Sequence, residues 1–299
     1  MSVLVVGSVG IDDVKTAEES HKDLLGGSAS YAAVAASFFS PVNLVGVVGS
    51  DFPDQYRKLY QVKGIDITGL EIADGLTFRW SGEYEVDMNN RNTVSIALNV
   101  FEKFEPKVPE SYRKSEIVLL ANIAPALQSM VLDQMEKPRF VIADTMDLWI
   151  NIAKPDLLKL IKRVDMLILN DSEAKLLTGV TNTVVAGHEI QKMGPRYVAI
   201  KKGEHGCLLF GPDQLFAIPA FPLTRVPDPT GAGDCFAGGL AGYCAQQKTI
   251  DFQVLKEAVL RGTIVASYNV EAFSLKRLES LTLVEIQKRH EQYRSLTTI

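Results

Sequence analysis

One segment of the sequence joins nearly bare backbone to a carboxylate, in a pattern that suits the handling of an anion. Residues 228–234 read DPTGAGD, and the stretch that follows has helical character through Gln247. Small residues let an anionic group approach the backbone amides, and the N-terminus of a helix adds a partial positive charge. This combination suits the charge that develops on a phosphoryl group during its transfer.

The same segment carries a candidate general base. Asp234 lies at the mouth of the turn, where its carboxylate could accept a proton from an attacking hydroxyl group. A Gly-rich turn with an aspartate in the first helical turn is also a common helix cap. The segment by itself therefore leaves a phosphotransfer site and a purely structural turn both open.

Short apolar and β-branched runs predict the strands that would position this turn. They are Val3–Val6, Leu44–Val48, Ile117–Leu120, Phe140–Asp144, Met166–Asn170, Tyr197–Lys201 and Cys207–Phe210. Most are separated by stretches long enough for helices, which predicts an α/β fold with a mainly parallel sheet covered on both faces. Ligands of such sheets bind beyond the carboxyl ends of the strands, so the polar endings at Asp144 and Asn170 mark the edge that carries the site.

A hairpin interrupts this rhythm within residues 76–104. The runs Thr77–Tyr84 and Thr93–Phe101 alternate polar and apolar residues, and the turn-forming residues 87–92 join them. An inserted hairpin could form a lid or a dimer surface, and an edge hairpin of the main sheet is the alternative.

Three aromatic residues, Phe78, Trp80 and Tyr84, alternate on the first strand of this hairpin. One face of the strand could therefore stack on a sugar or a base, or pack in a dimer.

Composition narrows the classes of function. The chain has 299 residues, 46% of them hydrophobic, and a formal net charge of −5 with no run of Lys or Arg, which argues against a nucleic-acid partner. The N-terminal apolar run is too short for a signal peptide and lacks a basic region, and no other apolar run is long enough for a spanning helix, so we expect no membrane partner. Cys207, Cys235 and Cys244 lack metal-ligand spacing, and we expect reduced thiols and a cytoplasmic location.

The segment from 228 onward strongly resembles the second signature of the ribokinase-like (PfkB-type) carbohydrate kinases. Four further segments resemble landmarks of that family in the expected order: residues 7–12 (GSVGID), 26–33 (GGSASYAA), 170–173 (NDSE) and 202–206 (KGEHG). Five landmarks in order are far more specific than any one of them, and the chain is identified as a member of this family. The resemblance implies a ribokinase-like, doubly wound domain over residues 1–299, with a small β lid from about 12–25 and 76–104.

The resemblance also implies an enzyme that moves the γ-phosphate of Mg·ATP to a hydroxyl of a small sugar or sugar-like alcohol. Asp234 would be the catalytic base, and the amides of Gly231, Ala232 and Gly233 would form an anion hole. The remaining expected contacts are Asp12, Gly26, Gly27 and Tyr31 with the substrate, Asn170, Lys202, Gly203, Gly206 and Thr230 with the nucleotide, and Glu173 with Mg²⁺ through water. The adenine pocket is expected around residues 266–273.

Several of these assignments have alternatives in the sequence itself. Asp13 could exchange roles with Asp12, and Glu173 could be an ordinary acid in the first turn of a helix. Lys201 and Lys202 could both meet a phosphate, or could both be surface lysines at a strand end.

The acceptor stays open because the chain departs from ribokinase at Tyr31, where ribokinase has an asparagine. A nucleoside would need a flat apolar slot, which Tyr31 or the hairpin aromatics could supply, whereas a free sugar needs more hydrogen-bond partners. We expect a sugar or sugar-like alcohol, with a nucleoside kinase as the alternative and a non-catalytic sensor as the second alternative. Lid sheets in this family often pair between subunits, which implies a homodimer through the lid.

Overall fold

Two sheets organise the chain in this computed structural model, which describes residues 1–88 and 90–298. The strands are β1 (Val3–Val6), β2 (Gly10–Lys15), β3 (Ser20–Gly26), β4 (Val42–Gly49), β5 (Ile65–Ala73), β6 (Phe78–Tyr84), β7 (Arg91–Ala97), β8 (Ile117–Leu120), β9 (Phe140–Asp144), β10 (Met166–Asn170), β11 (Tyr197–Lys201), β12 (Cys207–Gly211) and β13 (Gln214–Ile218). Nine of them form the main sheet in the order β13-β12-β11-β10-β9-β8-β1-β4-β5. The other four form a second sheet in the order β3-β2-β6-β7.

The main sheet is parallel from β5 to β11, and only β12 and β13 run antiparallel to their neighbours. Its inner strands are buried on both faces: Val3 and Val5 pack into one hydrophobic cluster, while Leu4 and Val6 pack into another on the opposite face. Continuous apolar strands are what a sheet covered on both sides requires. The predicted fold class is confirmed.

Eleven helices among the described residues connect and cover these strands. They are α1 (Ser28–Ser37), α2 (Asp54–Val62), α3 (Pro125–Gln134), α4 (Asp147–Ile152), α5 (Lys154–Ile161), α6 (Asp171–Thr178), α7 (Thr183–Met193), α8 (Ala232–Gln246), α9 (Phe252–Asn269), α10 (Lys276–Ser280) and α11 (Leu283–Thr297). None of the described helices is long and apolar enough to cross a membrane.

Small residues bring α1 and α8 into close contact on one face of the main sheet. A Cβ atom added at Gly242 of α8 would lie only 2.6 Å from the carbonyl oxygen of Ala36 of α1. Both helices therefore approach backbone to backbone, and the turn that opens α8 comes to lie against α1. This packing sets the position of the Gly-Ala-Gly segment.

The predicted hairpin belongs to the second sheet and is not an edge of the main one. β2 pairs antiparallel with β3 and parallel with β6, so residues 10–26 and the hairpin form one unit. The second predicted strand, Thr93–Phe101, is displaced: β7 ends at Ala97, and Asn99–Lys103 form a 3₁₀ turn that packs Phe101 on Phe78. The predicted turn at 87–92 includes Asn89, which lies outside the described residues.

Candidate active site

The N-terminus of α8 forms an open turn at the carboxyl edge of the main sheet. Gly231 is its N-cap residue with φ 76°, and no side chain caps this terminus. A Cβ atom at Gly231 would overlap the ring of Tyr31, so the turn needs glycine for both its backbone angle and its packing. The Ala232 N–H donates to the Pro229 carbonyl within the turn at 3.2 Å. No side chain competes for the amides of this terminus, so an anion can approach them.

Asp234 lies in the first turn of α8, directly beyond the Gly-Ala-Gly run. Burial raises the pKa of its carboxyl group to about 7, Asp144 adds to the rise, and the positive charges of Lys201 and Arg91 oppose it. A carboxylate with a pKa near neutrality is well matched to accept a proton from a hydroxyl group. Arg91 belongs to β7, so the second sheet lies close enough to act on this group.

Asp12 lies on β2 and is only 4% exposed. Burial raises its pKa to about 8, with further contributions from Asp228 and Asp234, while a hydrogen bond from the Gly27 backbone opposes the rise. A Cβ atom at Gly26 would overlap the Asp12 carboxyl group. The structure thus places three of the predicted substrate residues, Asp12, Gly26 and Gly27, in direct contact.

The neighbouring carboxylate, Asp13, faces another environment. Its Oδ1 atom accepts the backbone N–H of Asp23 at 2.9 Å and lies 4.0 Å from the guanidinium group of Arg79. Asp12, by contrast, is buried against Gly26 and Gly27, and the charge of Asp234 contributes to its raised pKa. The role of Asp12 in substrate binding stays a prediction.

Tyr31 lies in α1 beneath the turn, with its ring against Gly231 and its hydroxyl group buried and without a hydrogen-bond partner. Burial raises its pKa well above the usual value, and the charges of Asp228 and Asp12 contribute. A buried hydroxyl without a partner is unfavourable, so this atom is a candidate contact for a bound molecule.

Hydrogen bonds fix the turn from two other directions. Thr230 donates its backbone N–H to Asp228 Oδ1 at 2.9 Å, and its carbonyl accepts from Asn269 at 2.8 Å. Asp228, fully buried, also accepts the backbone N–H of Ser274. The turn is thereby joined to the segment around 266–273, where the adenine pocket is expected. From the second sheet, Tyr84 forms a hydroxyl contact with Thr230 at 3.2 Å.

The expected nucleotide side is built at the ends of β10 and β11. Asn170 and Glu173 form a capping box on α6, in which each side chain accepts the backbone N–H of the other residue, at 2.8 and 2.7 Å. Glu173 therefore does lie in the first turn of a helix, which was the structural alternative for this residue. Burial also raises the Glu173 pKa to about 7, against the opposing charge of Lys201, so its charge is coupled to the site.

The predicted Gly-rich turn follows β11. Lys202 donates its backbone N–H to the carbonyl of Gly206 at 2.7 Å, and a 3₁₀ turn spans Gly203–His205 between them. Gly203 and Gly206 have φ angles of 53° and 90°, so both are required by the turn itself. The contacts of these residues within the chain are those of a tight turn, and their proximity to a nucleotide stays a prediction.

Two residues acquire contacts that the sequence did not assign. Lys201, left undecided between a phosphate partner and a surface lysine, is partly buried, and its Nζ atom lies 3.2 and 3.3 Å from the oxygens of Asp144. Asp144 was noted only as a polar strand ending. The available signal was the position of both residues at the carboxyl ends of strands in one parallel sheet.

A third unassigned residue, Asn122, follows β8 on the same edge. Its carbonyl oxygen accepts the hydroxyl of Ser28 at 3.0 Å, and its side chain accepts the indole N–H of Trp149 at 2.8 Å. Asn122 therefore adjoins the Gly26-Gly27 turn. A polar residue two positions after the end of a buried apolar strand was the available signal.

With this geometry described, comparison with known proteins decides the family. The model of the pfkB family carbohydrate kinases matches residues 2–279. The chain belongs to this family. It is thus a carbohydrate or nucleoside kinase, a phosphotransferase that acts on a sugar or nucleoside hydroxyl.

Individual relatives of this PfkB-family kinase include both nucleoside and sugar kinases. The cytidine kinase of Thermococcus kodakarensis is 30% identical over 252 residues, which cover 81% of this chain and 88% of that protein. Among solved structures, the Burkholderia thailandensis nucleoside kinase in complex with inosine has a TM-score of 0.80 at 19% identity, covering 97% and 96% of the two chains. The Arabidopsis thaliana ribokinase with ribose and ATP has a TM-score of 0.77 at 20% identity, covering 97% and 98%. At these identities the two structures establish the ribokinase fold alone.

Proposed function

We propose that the chain transfers the γ-phosphoryl group of Mg·ATP to a hydroxyl group of a nucleoside. The observation that carries the proposal is the meeting of Asp234, with its pKa near 7, and an uncapped Gly-Ala-Gly helix terminus, beside the buried carboxyl group of Asp12. The first two features suit phosphoryl transfer, and the third suits the binding of a polyhydroxylated acceptor.

In this proposal Asp234 takes the proton of the acceptor hydroxyl while its oxygen attacks the γ-phosphorus atom in line. A new O–P bond forms as the bond from the γ-phosphorus atom to the bridging oxygen breaks, and ADP leaves with that electron pair. The amides of Gly231, Ala232 and Gly233 would receive the negative charge that builds on the transferred group. Such preorganised donors typically contribute about 100-fold or more in rate.

The residues present fit an ion held mainly by phosphate and water. Among residues 1–88 and 90–298, no group of three or more His, Cys, Asp or Glu side chains could hold a metal ion by itself. Mg²⁺ commonly keeps several waters and uses one or two carboxylates together with substrate phosphates. Glu173, buried and coupled in charge to Asp234, is the residue we assign to it, through water. When bound, Mg²⁺ would neutralise charge on the phosphates.

The choice of a nucleoside over a free sugar departs from the preference drawn from the sequence. It is supported by the cytidine kinase relative, which is 30% identical over most of both chains. The ring of Tyr31 beside the turn supplies apolar surface in place of an amide. A free sugar is the second candidate, favoured by the unpartnered Tyr31 hydroxyl and the Asp12 carboxyl group, which both offer hydrogen bonds to ring hydroxyls.

The second sheet is proposed to act as a lid. Tyr84 contacts Thr230, Arg225 pairs with Glu18 and Glu19 at 2.9 and 3.1 Å, and the ring of His21 lies 4.1 Å from that of Phe273. These contacts join the second sheet to both sides of the turn. A lid in this position would exclude water and suppress hydrolysis of ATP.

The outer strand of this sheet supports the proposal of a homodimer. Val94 and Ile96 on β7 are 64% and 53% exposed. An open edge strand with exposed apolar side chains is a ready template for pairing with another strand. We expect the wild-type chain to sediment as a dimer and Ile96→Lys as a monomer, and a monomeric wild type would contradict the proposal.

The test of function is ADP release from Mg·ATP against a panel of nucleosides, free sugars and polyols, with Asp234→Asn as control. Strong turnover with one nucleoside that the variant loses would support the proposal. Turnover with free sugars alone would promote the second candidate. If the chain binds ATP but phosphorylates nothing on the panel, the nucleoside proposal fails.

A further inference from the structure

One lysine lies at the centre of the charged groups around the anion-hole turn. Lys201 ends β11, and its side chain is 19% exposed. Burial alone would lower its pKa, but Asp144, Glu173 and Asp234 together raise it above the ordinary value. Lys201 acts in turn on the pKa of each of these three carboxyl groups. Its ammonium group is therefore surrounded by the acids of the candidate site.

The ammonium group also touches the turn that would receive the phosphoryl group. A Cβ atom added at Gly233 would lie 3.0 Å from Lys201 Nζ and 3.7 Å from its Cε atom. Gly233 is one of the residues whose amides form the proposed anion hole. The positive charge thus lies beside those amides, on the side where the missing Cβ atom leaves room.

The contacts with Asp144 do not occupy all of the N–H donors of the Lys201 ammonium group. The two carboxyl oxygens lie 3.3 and 3.2 Å from Nζ, an even and rather long pair of contacts. A lysine ammonium has three N–H donors, so at least one remains for another acceptor. A buried ion pair made only for stability would gain from short contacts and a fully used donor set.

Building on the proposed function, we propose that Lys201 is a catalytic residue that donates a hydrogen bond to the γ-phosphoryl group of ATP, and that Asp144 positions it. The ammonium would act together with the amides of the Gly-Ala-Gly turn. Its charge would oppose the negative charge that the phosphates bring close to three carboxyl groups. Compact, charge-assisted contact of this kind is typical of lysine at phosphates.

The proposal is tested by binding as well as by rate. Calorimetric titrations without acceptor compare Mg·ATP with Mg·ADP on the wild type, Lys201→Met and Lys201→Arg. Loss of a contact to the γ-phosphoryl group should weaken Mg·ATP binding by about tenfold and leave Mg·ADP within about twofold, since a hydrogen bond to a charged group is worth about that much. Turnover of Lys201→Met should fall by about 100-fold, as for loss of an oxyanion donor. Lys201→Arg should recover part of both.

Two further variants separate this role from a structural one. Lys192→Met removes an exposed lysine that pairs with Glu189 on α7, and it should leave both affinities unchanged. Lys201→Met/Asp144→Asn removes both charges of the buried pair, so it keeps the test available if the single variant does not fold. It should show the same selective loss of Mg·ATP binding.

The outcomes distinguish the two proposals. If the wild type binds Mg·ATP and phosphorylates an acceptor, but Lys201→Met lowers ATP and ADP binding equally or changes neither, Lys201 does not contact the γ-phosphoryl group. If the wild type binds no nucleotide and transfers no phosphate, the proposed function itself fails and takes this inference with it.

Discussion

A methyl group added at Gly26 is expected to disable acceptor binding while sparing the nucleotide half of the site. Its Cβ atom would overlap the carboxyl carbon and both carboxyl oxygens of Asp12. The φ angle of Gly26 is outside the left-handed region, so Gly26→Ala introduces no backbone strain. Because Asp12 is buried, its carboxyl group must move away from its present position when the methyl group is added.

The magnitude follows from the charge of Asp12. A hydrogen bond to this group contributes about 0.5–1.5 kcal/mol when the acid is neutral and about 1.5–3 kcal/mol when it is ionised. Its pKa is raised to about 8, so the acid is mostly neutral at pH 6 and mostly ionised at pH 9. Because about 1.4 kcal/mol is tenfold, loss of one bond should lower kcat/KM for the acceptor by about 2- to 10-fold at pH 6 and about 10- to 100-fold at pH 9.

The assay is kcat/KM for the acceptor at the two pH values with saturating Mg·ATP, alongside the affinity for Mg·ATP alone, which should not change. As a control, Gly26→Ala is also introduced into the Asp12→Ala variant, in which the added methyl group meets no carboxyl group. Gly26→Ala should then have little further effect, since the two changes act through one contact. Equal losses from Gly26→Ala in the presence and absence of the Asp12 carboxyl group would refute the reasoning.

Three further expectations concern Asp234 and its turn. Activity should rise with pH through about 7 as Asp234 loses its proton, and a profile of kcat/KM that is flat from pH 5 to 8 would contradict its role as base. Asp234→Asn should abolish turnover and raise the melting temperature of the unliganded protein more at pH 8 than at pH 5. The pKa of Asp234 is about 7 in the folded protein and 3.8 in the unfolded chain, so the wild type loses stability as the pH rises from about 4 to about 7. Asparagine does not ionise and avoids this loss. Equal gains in melting temperature at both pH values would argue against a raised pKa. Gly231→Ala should lower the free energy of unfolding in urea by at least about 1–3 kcal/mol, from its φ of 76° alone, and the added overlap with Tyr31 should be relieved in Gly231→Ala/Tyr31→Ala.

The strands of the main sheet could be predicted because their burial is nearly uniform. Five predicted runs match the observed strands residue for residue, and the other two fall within slightly longer strands. β5 was missed, since its sequence IDITGLEIA mixes exposed and buried positions at the edge of the sheet. β2 was not among the apolar runs, and a strand there was expected only as part of the β lid that the resemblance implied for about 12–25. Its parallel partner is β6, with Gly10 opposite Phe78, and no local pattern reveals so distant a pairing.

The site could be predicted where its residues are contiguous and could not where the fold assembles it. Gly231 to Asp234 form a single turn, so their types and spacing suggested their chemistry directly. Lys201 and Asp144 are 57 residues apart and come together because β9, β10 and β11 lie side by side in one parallel sheet. The residues around Lys201 in the sequence do not indicate that a carboxylate lies beside it in the fold. For that reason the sequence could not distinguish a phosphate partner from a surface lysine at this position.

The glycines of the site could be predicted from the sequence, but only one of the two reasons for them could. The sequence suggested bare backbone so that an anion or a substrate could approach. In the structure, another side chain of the protein also lies against each glycine, where a Cβ atom would be: Asp12 at Gly26, Tyr31 at Gly231 and Lys201 at Gly233. These glycines are therefore needed before any ligand binds, since they let the polar groups of the site reach the backbone that surrounds the reacting atoms. A substitution at any of them displaces a specific side chain, so its effect should depend on whether that side chain is present.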